Sequence, residues 1–138
     1  RVTEELRNEE VAMEASNFAK DSFIRNTLIR HQKDYFDSNK GLIADGRDMG
    51  TVIFPEARWK FFLIASIEER AKRRLRQLKE VGLEVKMPTL IDNIKVRDEQ
   101  DTNRDISPAV PAEDALTIDT SNLSAEGLKN KVLEIIKD

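Results

Sequence analysis

The sequence predicts an α/β fold with a parallel sheet flanked by helices, and three observations point there. Short unpatterned apolar runs at residues 42–44, 59–66 and 115–119 have the length and composition of buried strands. Stretches of helical periodicity with recognisable start and stop residues fill the remainder. The resulting order of strand, helix, helix, strand, helix is that of an α/β layer.

The totals bound the possibilities. At 138 residues the chain is one domain's worth, and 1–138 is expected to fold as a single unit. Hydrophobic residues make up 39% and charged residues 36%, which describes a charged-surface globular protein and excludes a disordered one. A net charge of -3 excludes whole-molecule attraction to nucleic acid or an anionic membrane, so any anion site must come from local clustering. The chain contains no cysteine, which excludes disulfides and thiolate metal sites and fits a reducing compartment. Its longest apolar stretch, residues 61–66, is far too short for a membrane span, and the charged first residues do not resemble a signal peptide. The expected location is cytoplasmic.

Residues 3–19 read as a mostly exposed helix, with Leu6, Val11, Met13, Ala15 and Phe18 sparse among acidic residues. A second helix starts near Asp21 and Ser22, carries Ile24, Leu28, His31 and Tyr35 at helical spacing, and stops by Gly41. His31, on that apolar face, reads as a packing residue; Trp59 opens the second strand and reads as core. Ser66 with Glu69 forms a capping box, and Gly82 is the C-terminal stop of the helix between them. Pro88 suits the first turn of the next helix, which runs to about Thr102. Ser107, Pro108 and Pro111 make a stiff loop. Ser124 caps a last helix whose Leu128, Val132, Leu133 and Ile136 share one face.

Three constellations bear on chemistry. Gly41 and Gly46 are spaced like the glycines of a phosphate loop, G-x-x-x-x-G-K-[ST], but the residues between them are strand-like. Arg47 and Asp48 replace the required Lys and Ser/Thr. What remains is a strand end delivering Asp45, Arg47 and Asp48, either a polar turn or the rim of a ligand crevice. On the helix after Pro88, the stripe through Leu90 and Ile94 continues into Arg97, Asp101 and Arg104. A surface Arg–Asp pair contributes only about 0.3–0.5 kcal/mol, whereas burying unpaired charges costs several kcal/mol each. That stripe therefore rises into solvent or lines a cleft for an anionic, hydroxyl-bearing ligand. The third constellation is six Lys or Arg within residues 70–79, including Arg70, Arg73 and Arg74, suited to a solvated face, a nucleotide phosphate clamp or nucleic-acid backbone. The net acidity and the lack of interleaved aromatics count against nucleic acid. The acidic residues show no metal-ligand spacing.

Taken together, these blocks resemble bacterial cytidylate kinase, a P-loop nucleoside monophosphate kinase family that phosphorylates CMP and dCMP with ATP. The resemblance rests on residues 41–57, on 68–74, on the Arg97, Asp98, Asp101, Arg104 block, and on 107–124. Upstream, residues 6–16 and the Ile24, Arg25, Gln32 set are similar to further family segments. The resemblance implies that Ser16, Arg25 and Asp48 recognise cytosine, Arg97 and Asp101 the ribose, and Arg47 with Arg104 the CMP phosphate. It places Arg70, Arg73 and Arg74 on a mobile lid over ATP, so that Arg47, Arg70, Arg73, Arg74 and Arg104 are the expected catalytic set. Residues 1–20 would be a remnant of the CMP-binding insert, 21–138 the core, and 67–104 the lid-like helical region. CMP or dCMP, ATP and Mg2+ are the implied ligands, with no nucleic acid or membrane partner and a monomeric parent.

Two departures touch no proposed ligand residue: Asn8 where Thr or Ser is usual, and no proline within residues 20–23. A third concerns the family's opening strand and its glycine-rich phosphate loop, which are not in this sequence. The sheet is accordingly expected to be incomplete, the Mg2+ site unfinished, and the chain a fragment inactive alone and open to self-association through bare sheet edges. The competing expectation is a nucleic-acid or regulatory binding module using the basic helix of residues 70–79.

Overall fold

The computed structural model describes residues 9–37 and 40–137. Helix α1 spans Glu9–Phe18 and α2 Ser22–Lys33; the expected helical residues 3–8 lie outside the described part. Asp21 caps α2 by accepting the Ile24 N–H at 3.0 Å. Strand β1 is Phe61–Ile64, α3 Ile67–Glu80, α4 Met87–Asn103, β2 Leu116–Asp119 and α5 Ala125–Lys137.

The α3–α4 pair holds the best-packed core. Ser66 Oγ accepts the Glu69 N–H at 3.2 Å, as the capping box requires, and fixes where α3 begins. At the other end Gly82 adopts φ 77°, with its N–H on Lys79 O at 3.0 Å and the Leu83 N–H on Leu78 O at 2.9 Å. Those two bonds satisfy the last carbonyls and turn the chain back into α4. Ala71, Leu78 and Leu90 are consequently buried between the helices, with Leu75, Val85, Met87, Ile91 and Ile94 packed around them. A fully buried leucine such as Leu90 contributes roughly 2–3 kcal/mol by removal from water.

The strands β1 and β2 pair in parallel, Phe61 opposite Leu116 and Ile64 opposite Asp119, the two helices between them forming the crossover. The third expected strand, residues 42–44, does not form: Ile43 is wholly exposed and Leu42 41% exposed. A strand exists by its ladder, and β1 and β2 pair only with each other, leaving this run no partner among the described residues.

Other expectations need correction. Trp59 precedes the strand, is 36% exposed and carries the Arg58 guanidinium 5.2 Å above its ring, so it is not core. His31 is exposed, because α2 buries no residue and leans on the following turn only through its inner side. Ser124 does cap α5, accepting the Gly127 N–H at 3.0 Å, but Leu133 and Ile136 stay largely exposed. Between α2 and β1 the chain makes a π-helical turn, Met49–Ile53, that the sequence did not announce. It is seated by buried Ile53 and by Phe54, whose ring lies 6.5 Å from that of Phe36.

Candidate active site

Charged residues from several elements gather around the C-terminal end of α4. Helix α4 ends at Asn103, one residue before Arg104, which is extended at φ -70° and ψ 142°; the stripe therefore does not reach Arg104 as continuous helix. The loop beyond folds back instead. Arg104 Nε donates to Ser107 O, Ser107 is buried at φ 53°, and the Ala109 N–H bonds Asp101 O at 2.7 Å. A non-glycine residue in that region is uncommon and is held here by the surrounding bonds.

Asp101 is the hub. Its Oδ1 accepts from Ser16 Oγ at 3.1 Å and from Arg104 Nη1 at 3.3 Å; its Oδ2 faces Arg47 Nε at 2.8 Å and Arg97 Nε at 3.7 Å. The carboxylate side chain is 3% exposed. A buried charge of this kind persists only when opposite charges and donors surround it, and three guanidiniums and a hydroxyl do so. Ser16, in the last turn of α1, brings that helix against α4, and its hydroxyl also approaches Gln100 Oε1 at 3.4 Å.

Asp48 forms a second node at the mouth of the π-helical turn. Its carboxylate pairs with Arg25 of α2, while its carbonyl accepts the Val52 N–H at 2.9 Å. Arg25 also donates to Ser107 Oγ and to Ala19 O, each at 3.2 Å, so one guanidinium ties α2, the turn and the Ser107 loop together. Arg47 and Asp48 thus turn inward, whereas Asp45 remains exposed. Neither Gly46 nor Gly50 has a positive φ, so a left-handed turn does not explain either glycine.

Asp98, one turn before Asp101, is a third node. It is held in a two-pronged grip by Arg70 of α3, with Nη2 to Oδ1 at 2.8 Å, and lies 3.6 Å from Arg47 Nη1. Burial pushes the Asp98 carboxyl up, but the Arg70 hydrogen bond and the charges of Arg70 and Arg47 outweigh it, leaving it below the ordinary 3.8. The same hydrogen bond raises Arg70 above its ordinary value. Burial, then the charge of Arg25, lowers Arg104. Five arginines, 25, 47, 70, 97 and 104, stand against three aspartates, 48, 98 and 101, leaving positive charge for an incoming anion.

That excess opens onto a cavity of about 240 Å³ between α3 and α4. Arg47, Arg70, Arg73, Arg74 and Arg97 line it, with Gln77, Asn93 and Ile94 and no acidic side chain. Arg73 reaches further, donating to Thr120 O and, at 3.2 Å, to Thr120 Oγ1 just after β2. Arg74 approaches Gln77 Oε1 at 3.5 Å. Ser16, Arg25, Asp48 and Arg104 lie off the cavity, joined to it through Asp101 and Arg47.

Every site residue expected from the sequence therefore falls in or beside one network. Sequence reasoning assigned no role to Asp98, Ser107, Gln77 or Asn93. Asking which carboxylate neutralises each arginine would have found Asp98, three residues from Asp101; Ser107 lay in a recognised block without a role, and Gln77 and Asn93 carry no sequence signal. Among the described residues no group of three or more His, Asp or Glu could hold a metal ion. The three site aspartates are each engaged by arginine and do not fit a Mg2+ cradle.

Comparison with known proteins gives a consistent result. The chain is 52% identical over 132 residues to the cytidylate kinase of Colwellia psychrerythraea, covering 96% of this chain and 58% of that protein. It is 48% identical over 136 residues to that of Vibrio vulnificus, covering 99% and 60%. To the cytidylate kinase of Fervidobacterium nodosum it is 45% identical over 138 residues, covering 100% and 63%. The chain thus spans about three-fifths of the length of these curated relatives. The family model described as cytidylate kinase matches residues 1–138, and by that match and these identities the chain belongs to the cytidylate kinase family.

Proposed function

We propose that this chain carries the acceptor-nucleotide side of a cytidylate kinase, binding CMP or dCMP as the substrate that receives a phosphoryl group from ATP. The observation that carries the reading is the Asp101 hub. One buried carboxylate gathers Ser16, Arg47, Arg97 and Arg104 beside a cavity walled by five arginines.

The chemistry of the groups supports the roles. Cytosine presents an amino donor and ring acceptors, which match the Asp48 carboxylate, the Arg25 guanidinium and the Ser16 hydroxyl. Ribose hydroxyls donate to Asp101 and accept from Arg97. Arg47 and Arg104 neutralise the CMP phosphate, one oxygen of which attacks the γ-phosphorus of ATP; the bond to the bridging oxygen breaks, giving CDP and ADP. Arg70, Arg73 and Arg74 face the region where charge spreads over the transferring group. Positioning and neutralisation are what phosphoryl transfer chiefly demands. ATP-bound magnesium would add charge neutralisation, but no step here is routed through it.

The chain by itself is expected to transfer little phosphate, since its sequence holds no glycine-rich loop to cradle the donor phosphates. The alternative use of residues 70–79 on nucleic acid calls for outward-facing cations. Arg70, Arg73 and Arg74 turn instead toward the cavity between α3 and α4, and Glu69 pairs with Lys72, Arg73 and Arg76. No observation favours that use.

Calorimetric titration with CMP tests the assignment. Asp48→Ala and Arg104→Ala should each weaken CMP by at least about tenfold, the value of one charge-assisted contact. UMP, whose ring carbonyl replaces the amino donor, should bind more weakly than CMP to the wild-type chain. Unchanged CMP affinity in both variants would refute the site.

A further inference from the structure

We propose that Asp98 is a positioning residue: from behind the cavity it holds Arg70 of α3 and Arg47 of the preceding loop side by side, so that their guanidiniums form one phosphate-binding wall. Both arginines line the cavity and Asp98 does not. The carboxylate grips Arg70 through two donors and stands 3.6 Å from Arg47 Nη1. A guanidinium has five N–H donors, so Arg70 keeps three for a ligand while its plane is set from the rear.

Two features argue that this bridge acts on orientation more than on stability. The side chains of Asp98, Arg70 and Arg47 are 30%, 34% and 33% exposed, where an ion pair adds little to folding. Asp101, at 3% exposed, is the structural anchor by contrast. Arg47 has Asp101 as well, but among the described residues Arg70 pairs with no carboxylate other than Asp98. Without it two like charges from separate elements would stand next to each other uncompensated and move apart. Asp98 is thereby the link between the arginine of α3 and the loop that the acceptor phosphate would meet. The inference rests on the phosphate-binding part of the proposed function and is independent of cytosine recognition.

Pyrophosphate is the probe, titrated calorimetrically into the wild-type chain, Asp98→Asn and Arg70→Lys at one ionic strength, with thermal melting as the folding control. Electrostatics alone predicts tighter binding in Asp98→Asn, because a negative charge beside an anion site is removed. Positioning predicts the opposite: about tenfold weaker binding, the value of one lost charge-assisted contact, with little change in melting temperature. Arg70→Lys keeps the charge but loses the fork, and should weaken pyrophosphate by about as much. The double variant should fall little further than either single one. Unchanged or tighter binding in Asp98→Asn overturns the proposal, as does failure of the wild-type chain to bind pyrophosphate. If Asp98→Asn does not fold, unchanged binding in Arg70→Lys overturns it. Should CMP fail to bind while pyrophosphate responds as expected, cytidylate recognition is refuted and the role of Asp98 stands.

Discussion

The α3–α4 hairpin and the β1–β2 sheet divide the apolar residues very differently. In the hairpin, Ala71, Leu78 and Leu90 are at most 2% exposed. In the sheet, Ile118 is buried, yet Leu63 is 50%, Ile64 44% and Leu116 45% exposed. Two helices each need to cover one stripe and can cover each other's, whereas two strands have two faces and two free edges to cover. Most of the cavity wall comes from the hairpin, so its arginines stand on the best-packed part of the molecule. The sheet reaches the site through Arg73, which donates to Thr120 just after β2, and the Thr120 hydroxyl in turn donates to Ile64 O at 3.0 Å.

The sharpest way to break this contrast is at the hub where the hairpin meets everything else. Asp101→Ala would leave Arg104, whose side chain is 7% exposed, beside Arg47 and Arg97 with no shared carboxylate. Removing one partner of a buried pair costs about 3–5 kcal/mol, so urea unfolding should show a loss of that order or an unfolded variant. A loss below about 1 kcal/mol would mean that the arginines relax into water and that the hub is not structural. Next in size is a matched pair of leucines. Leu90→Ala in the hairpin should cost about 2–5 kcal/mol, whereas Leu63→Ala in the half-exposed sheet should cost about half of that or less. Equal losses would show that the sheet is covered in solution.

The same contrast explains what the sequence made legible. Local signals worked where local physics decides: Ser66, Gly82, Pro88 and Ser124 marked helix ends because caps and stops act within a few residues. The stripe from Leu90 to Asp101 was readable because a helix keeps its own period, and the family resemblance supplied the residues that distant segments bring to it. The strand at residues 42–44 was misread because pairing is decided elsewhere in the chain, and an apolar triplet does not record whether a neighbour is present. His31 and Trp59 failed likewise: helical spacing and an aromatic ring state a capacity for burial, not the existence of something to be buried against. Asp98 lay within a recognised block without a role, since its importance comes from Arg70 on another helix.

The smallest expected effect lies at the open end of the hairpin, where Asp98 is neither core nor free surface. Its carboxyl titrates below the ordinary 3.8 in the folded chain, so the unfolded chain takes up its proton first as pH falls. The Arg70 bridge therefore contributes fully above about pH 4 and fades as pH falls through the folded value, with no change expected between neutrality and pH 5 from this group. Because the pair is about a third exposed, its contribution should stay below about 1 kcal/mol. Asp114 and Asp119 are also held low, by the Lys60 hydrogen bond and by Ser121, and steepen the same acid limb. Asp98 is isolated by difference: the stability gap between the wild-type chain and Asp98→Asn, read from urea unfolding, should narrow as pH drops from about 5 to about 3 while that between the wild-type chain and Leu90→Ala stays constant. A gap that persists at the acid end would show that the amide side chain in Asp98→Asn fails for reasons of packing, and that Arg70 is not held by the charge of its partner.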